Sequence, residues 1–336
     1  MSAAPSLATR SRSGRLFASP PPAVAIEIAG DRVAAVAFAG GTPPLVSAYA
    51  FEPLPAGLVV PSLNASNVAD EAALVGALRS VLEKVAPRAR RAALVLPDTV
   101  AKVSLVRFEK VPGRMQDLDQ MIRWQVRKAA PFRIEDAQLS WVPGLGLPGG
   151  GREYLVTLAR RDIVEGYERA CDRAGVHAGL IDLATFDLIN AVLPGLGEAG
   201  GDWLLVNVAG DYATLAVVRG PDLVFFRNRP DAAEADLADL VHQTAMYHED
   251  RLGGGGFRYV LLAGAWMQGL DRAEHLRRAL EERLGARVEP LDFRPAAALS
   301  DRIGVNPALL DALAAPAGVL LRERARRTSA DAGRVA

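Results

Sequence analysis

Beyond its first two dozen residues, the chain alternates short apolar runs with turn residues. Residues 23–29, 33–39 and 45–51 read as three strands, broken at Gly30-Asp31 and at Gly40-Gly41-Thr42-Pro43-Pro44. That spacing predicts an antiparallel meander. After a Pro- and Asn-rich loop, Ala72, Val75, Leu78 and Leu82 recur at helical spacing within 69–85, and 91–96 follows as a strand. A helix between strands implies a mixed α/β sheet.

Residues 101–108 read as a further strand. Met115, Leu118, Ile122, Val126 and Ala129 then form the inner stripe of a helix that Pro131 stops. Strands over 137–142 and 154–158 flank a Gly-rich tip at 144–151, and a helix over 162–174 follows. On that helix Cys171 shares an apolar side with Ile163, Val164 and Tyr167, the place of a small buried hydrophobe. These elements predict a compact inserted subdomain at about 109–175.

The second half repeats the opening. Residues 203–209, 213–219 and 223–228 form another meander, followed by a helix over about 232–252 with Leu237, Leu240, Val241, Ala245, His248 and Leu252 on one face. Gly253 to Gly256 end it. A strand at 259–263, a helix at 271–284 and a short strand at 287–290 complete the pattern. Ile28-Ala29-Gly30-Asp31 in the first meander returns as Val208-Ala209-Gly210-Asp211 in the second, preceded by Glu27 in one and Asn207 in the other. Two halves on one plan predict a duplicated fold with a cleft between lobes. The expected division is a flexible tail at 1–22, a first lobe at 23–195, a second lobe at 196–323 and a flexible basic tail at 324–336.

Composition narrows the function classes. The 336 residues carry 39 Lys and Arg against 39 Asp and Glu, so no net field draws the molecule to nucleic acid; Arg88, Arg90 and Arg91 form only a loop cluster. One cysteine permits no intrachain disulfide and fits a reducing compartment. The four histidines, His177, His242, His248 and His275, share no helical ligand face, so no metal site is expected. No apolar run is long enough to span a bilayer, and Arg10, Arg12 and Arg15 near the start lack the apolar core of a secretory signal. Arg322, Arg324, Arg326 and Arg327 read as a solvated charge run. The basic face of the helix with Arg123, Arg127 and Lys128 suits either plain solvation or attraction to an acidic partner or membrane surface.

Four segments together carry a family resemblance. They are DLDQMIRWQVRKAAPF from Asp117 to Phe132, the run Leu180-Ile-Asp-Leu-Ala-Thr-Phe-Asp-Leu, the second hairpin through Leu223-Val-Phe-Phe, and Ala315-Pro-Ala-Gly-Val-Leu-Leu-Arg322. In this order they resemble the PilM family of type IV pilus assembly proteins and, more distantly, FtsA and the cytoplasmic part of GspL, over roughly 24–322. The resemblance implies an α/β, duplicated actin-like (ribonuclease H-like) fold of two lobes around a nucleotide cleft, with a small inserted α/β subdomain. It also implies a cytoplasmic scaffold of a type IV pilus, or related type II secretion, assembly platform, peripheral to the inner membrane and reaching the membrane only through a PilN-like partner. That partner's N-terminal cytoplasmic peptide would lie in a groove drawing on Leu105, Arg107, Ile122, Arg123, Val126 and Phe132. Taken singly, Leu105, Ile122 and Val126 suit a core role better, which leaves Phe132 and Arg107 as the expected exposed contacts. Whether the chain forms a homo-oligomer stays open.

If a nucleotide cleft is retained, the resemblance places Glu27, Gly30, Asn207, Gly210, Thr214, His242, Gly264 and Trp266 around ATP and magnesium. The sequence departs from the family pattern at several of these positions and at their neighbours. Glu27 and Asn207 stand where an Asp is usual, Ala29 and Ala209 replace glycines, and His242 replaces a nucleoside-contacting Glu. Asp31 and Asp211 bring carboxylates toward the phosphates; like charges about 4 Å apart cost about 4 kcal/mol at an effective dielectric of 20. That offsets about half of the roughly 8 kcal/mol behind a micromolar affinity. Trp266 fits either stacking on a base or plugging the pocket, and the departures together favour the plug. The expectation is a degenerate cleft without a catalytic residue or a required cofactor; the alternative is an ATP-binding switch in the same machine.

Overall fold

The computed structural model describes residues 22–196, 200–230, 234–301 and 303–335. The tail expected over 1–22 lies, except for its last residue, outside them. β1 (Val24–Ile28), β2 (Arg32–Ala39) and β3 (Leu45–Pro53) form the first meander, and α1 (Glu71–Val85) starts where the Asp70 side chain accepts a hydrogen bond from the Ala73 amide. β4 (Arg91–Leu96) then runs parallel to β1. β5 (Ala101–Phe108), α2 (Met115–Arg127), β6 (Ala137–Gly146), β7 (Arg152–Arg160) and α3 (Arg161–Arg173) follow, before β8 (His177–Leu183) returns beside β4 and α4 (Ala184–Val192) leaves the sheet.

The second half holds β9 (Asp202–Val208), β10 (Tyr212–Arg219), β11 (Asp222–Pro230), α5 (Glu234–Leu252), β12 (Phe257–Ala263), α6 (Leu270–Leu284) and β13 (Val288–Pro290). β14 (Ala298–Leu299) and α7 (Pro307–Val335) close the chain. One sheet runs β14-β3-β2-β1-β4-β8 and the other β11-β10-β9-β12-β13, so each has a three-strand meander with two parallel strands added beside its first strand. The duplication extends to register: Glu27 lies opposite Ala34, and Asn207 lies opposite Thr214.

Strand alternation explains the layers. Ile26 and Ile28 face a core built with α1 and α3, and Leu204 and Val206 face one built with α5 and α6. Ala25, Trp203 and Leu205 point the other way, into a core shared by both sheets and by α4 and α7. The same parity turns Glu27 and Asn207 inward, toward the space between the lobes.

Four expectations need correction. The insert does not begin near 109: β5 is part of its sheet, ordered β5-β7-β6, and α2 covers one face with Leu118, Ile122 and Val126. Nor does it include α3, whose Ile163, Val164, Tyr167 and Cys171 lie in the first lobe's core. The second lobe does not run to 323. β14 pairs with β3, and α7 packs on α4, β1, β2 and β4, so the end of the chain returns to the first sheet. The segment from 324 is also no loose tail, because α7 continues helically to Val335. The Gly-rich tip shortens as well, since β6 extends to Gly146 and Leu145 packs against the second lobe's core.

Candidate functional site

Where the two inward-facing hairpins meet, a cleft of about 470 Å³ opens between the lobes. The β1–β2 turn supplies Glu27, Gly30, Asp31 and Arg32, and the β9–β10 turn supplies Asn207, Gly210, Asp211 and Tyr212. A Cβ placed on Gly30 would lie 3.8 Å from Asp211 Oδ2, so the turns almost touch across the opening. The loop carrying Val59, Val60 and Pro61 forms one wall, and Met267, Gln268 and Asp311 form another.

The lining is mostly apolar, but among its ionisable groups carboxylates outnumber cations. Glu27, Asp31, Asp211 and Asp311 face one guanidinium, Arg32, which donates to Asp31 at 3.0 Å and Glu27 at 3.3 Å. Burial pushes the Glu27 carboxyl above its ordinary range, against the opposing pull of Arg32. Asp311 accepts from the Trp266 amide at 3.0 Å, yet burial outweighs the amide donors and raises its pKa to about 7.

Beneath the cleft lies a polar chain that the sequence reading did not find. Asp98, fully buried after β4, accepts from the Thr185 amide at 3.0 Å, from the Thr185 hydroxyl and from the Thr214 hydroxyl at 2.7 Å. Each hydroxyl in turn accepts an amide hydrogen bond: Thr185 from Asn207 at 3.0 Å, Thr214 from Asn228 at 2.9 Å. Burial raises the pKa of Asp98 while these donors lower it, and burial is the larger effect. The chain ties the first sheet, the α4 start and the second hairpin together. Its one advance signal is a carboxylate just past the carboxyl end of a parallel strand, where open α/β sheets place their ligands. Asp311 had a different signal, as the lone charge in the apolar run 307–321.

Of the expected nucleotide residues, Glu27, Gly30, Asn207, Gly210 and Gly264 line the cleft. Gly264 adopts φ +80°, and a Cβ there would stand 2.2 Å from the Val208 carbonyl oxygen, so only glycine fits this close approach. Thr214 is buried in the Asp98 chain. Trp266 neither stacks nor plugs: it belongs to the second lobe's core, and its neighbours Met267 and Gln268 take the cleft positions. His242, half-buried on α5, is absent from the lining. A second correction concerns Arg322, which is not in a solvated charge run but buried against Asp182 and 3.9 Å from Asp187. Burial raises the pKa of both carboxyls, Asp182 to about 6, against the pull of the guanidinium.

The expected peptide-groove residues separate into two groups. Ile122 and Val126 are core residues of the insert and are closed to a partner. Leu105 is partly buried against the first lobe's core and Phe132 against the insert's, while Arg107 is exposed and donates to the buried Glu153 at 2.6 Å. Arg123 pairs with Asp119 at 2.8 Å, and Trp141 Nε1 donates to the same carboxylate. Lys102 Nζ donates to the Ala129 carbonyl at 2.6 Å, which ties β5 to the end of α2. Among the described residues no helix is long and apolar enough to cross a membrane, and no group of His, Cys, Asp and Glu is placed to hold a metal ion.

This architecture has known counterparts. A chain from a PilM–PilN type IV pilus biogenesis complex superposes with a TM-score of 0.78 at 20% identity, over 91% of this chain and 99% of that one. A Bacteroides thetaiotaomicron protein with an actin-like ATPase fold and unknown function gives 0.49 at 11% identity, over 83% and 93%. The cytoplasmic domain of EpsL, an inner membrane component of the Vibrio cholerae type II secretion system, gives 0.45 at 10% identity, over 90% and 94%. No curated protein matches the sequence. The family described as Type IV pilus assembly protein PilM matches residues 26–247, more than half of the chain. With that match and the two-lobe actin-like fold, this chain belongs to the PilM family of type IV pilus assembly proteins.

Proposed function

We propose that the protein is a cytoplasmic scaffold of the inner-membrane pilus assembly platform, that it captures the N-terminal cytoplasmic peptide of a PilN-like membrane partner, and that its interlobe cleft has lost nucleotide turnover. The observation that carries this reading is the cleft's lining. Four carboxylates face one arginine already engaged by two of them, so a triphosphate meets net repulsion where an ATPase offers donors. Asp98 and its threonines join the lobes without any ligand.

The partner reading rests on the likeness to the PilM–PilN complex and on the side chains left accessible beside the insert, Leu105, Arg107 and Phe132. Pull-down of the full chain with the partner's cytoplasmic peptide tests it. Binding that falls at least tenfold in Phe132→Ala or Arg107→Ala is expected; peptide binding that ignores both changes moves the groove elsewhere. An ATP-binding switch in the same machine is the second reading, favoured by one observation: the cleft stands open rather than filled by Trp266.

A further inference from the structure

Among the described residues, Trp124 is the most exposed large hydrophobic side chain, with 68% of its surface open. It is no misplaced core residue, because Leu118, Ile122 and Val126 already supply the inner stripe of α2. The indole projects from the opposite face, with Lys128 Nζ 5.9 Å from its ring centroid. The charge beside it toward the end of α2 is basic, with Asp117 two turns back on the same side of the helix. Between Gln120 and Ile134 the sequence holds Arg123, Arg127, Lys128 and Arg133 and no carboxylate. Arg123 is paired with Asp119 and Arg133 with Glu135 at 3.9 Å, whereas Arg127 and Lys128 are exposed beside the indole.

We propose that the outer face of α2 docks on an anionic lipid surface, with Trp124 at headgroup level and Arg127 and Lys128 over the lipid phosphates. An indole with an apolar body and a polar N–H partitions into the membrane interface, and adjacent cations gain from a negative surface potential. Charge complementarity alone would also admit an acidic peptide. Shape favours the lipid: a helix's outer face is convex, and one projecting ring on a convex face suits a plane, whereas an extended peptide needs a groove. Because the chain as a whole has no net charge, the attraction is local and weakens with salt. This contact is separate from the partner-peptide reading and gives the insert its own orientation toward the bilayer.

Vesicle flotation of the full chain tests the inference, using phosphatidylcholine vesicles with and without about one third phosphatidylglycerol. Flotation with the anionic vesicles alone, lost at high salt, is expected. Tryptophan emission should shift blue on binding, since Trp203 and Trp266 are buried, Trp141 is half-buried and Trp124 alone is open to solvent. The shift should vanish in Trp124→Gln, and Arg127→Gln with Lys128→Gln should weaken binding roughly 25-fold. Unfolding midpoints of these surface variants should match the parent protein. Failure to float with anionic vesicles overturns the inference, as does flotation that neither variant weakens. Binding of a polyglutamate peptide that these changes abolish, with vesicles ignored, overturns it in favour of an acidic protein partner.

Discussion

A carboxylate sealed from water is costly unless donors surround it, and Asp98 has three. Asp98→Ala would leave the Thr185 and Thr214 hydroxyls without their acceptor inside the protein, so urea denaturation should show a loss of about 3 to 5 kcal/mol. Thr214→Val removes one donor and should lose about 1 to 2 kcal/mol. Losses below about 1 kcal/mol for both would show that the chain does not hold the lobes. Asp311 adds a pH signature. Its folded-state pKa of about 7 lies above the ordinary Asp value near 4, so the folded protein holds that proton more tightly than the unfolded chain. The contribution is therefore full below about pH 4 and is lost as pH rises toward 7, by at most about 4 kcal/mol. Asp311→Asn should flatten the stability profile across that window; an unchanged slope would locate the titration in another group. Glu27 and Asn207 were legible in advance as the polar residues that end apolar strands just before the repeated Ala-Gly-Asp turn. Asp98 was not, since its partners Thr185 and Thr214 lie 87 and 116 residues away.

At the scale of elements, short continuous apolar runs between turn residues predict strands buried on both faces, and the central strands of the two meanders are of that kind. They could not assign β5, because Val103 and Leu105 serve one core while Val106 and Phe108 serve another, so either sheet was compatible with the pattern. α7 escaped for a related reason. Packed between both sheets, residues 309–321 are apolar nearly all round and show no one-sided stripe, and Pro316 argues against a helix that nevertheless forms. The contact of α7 with α4 depends on Gly318, where a Cβ would come 1.8 Å from the Asp187 carbonyl oxygen and 3.0 Å from the Ala191 nitrogen. Both atoms are backbone, so relief requires the helices to separate. Gly318→Ala should therefore cost about 3 kcal/mol or more by urea denaturation, the upper end of overpacking, despite alanine's higher helix propensity. A loss under about 1 kcal/mol would mean that the two helices slide freely.

For the whole molecule, the question is whether the lobes need a nucleotide between them. In a switch, the ligand's phosphates join lobes that otherwise separate, and its removal changes their equilibrium. Here α4, α7 and the Asp98 chain already join the sheets, and in the proposed scaffold the charges of the cleft oppose an anion. Once Glu27 and Asp311, whose pKa values burial raises, have lost their protons, four carboxylates against one guanidinium leave the lining net negative by three charges. This predicts an order of ligands as well as an absence. Adenosine has the base and sugar without the phosphates, so it should bind at least as well as ATP with magnesium, reversing the ranking of a working ATPase. Calorimetry at millimolar ligand should find no micromolar site for ATP and no loss of affinity when the phosphates are removed. The Asp31→Asn, Asp211→Asn double variant should narrow the difference by raising ATP affinity, since both side chains line the opening. Micromolar ATP binding that exceeds adenosine binding tenfold would show that these carboxylates turn away from the phosphates or hold the cation, and would restore the switch.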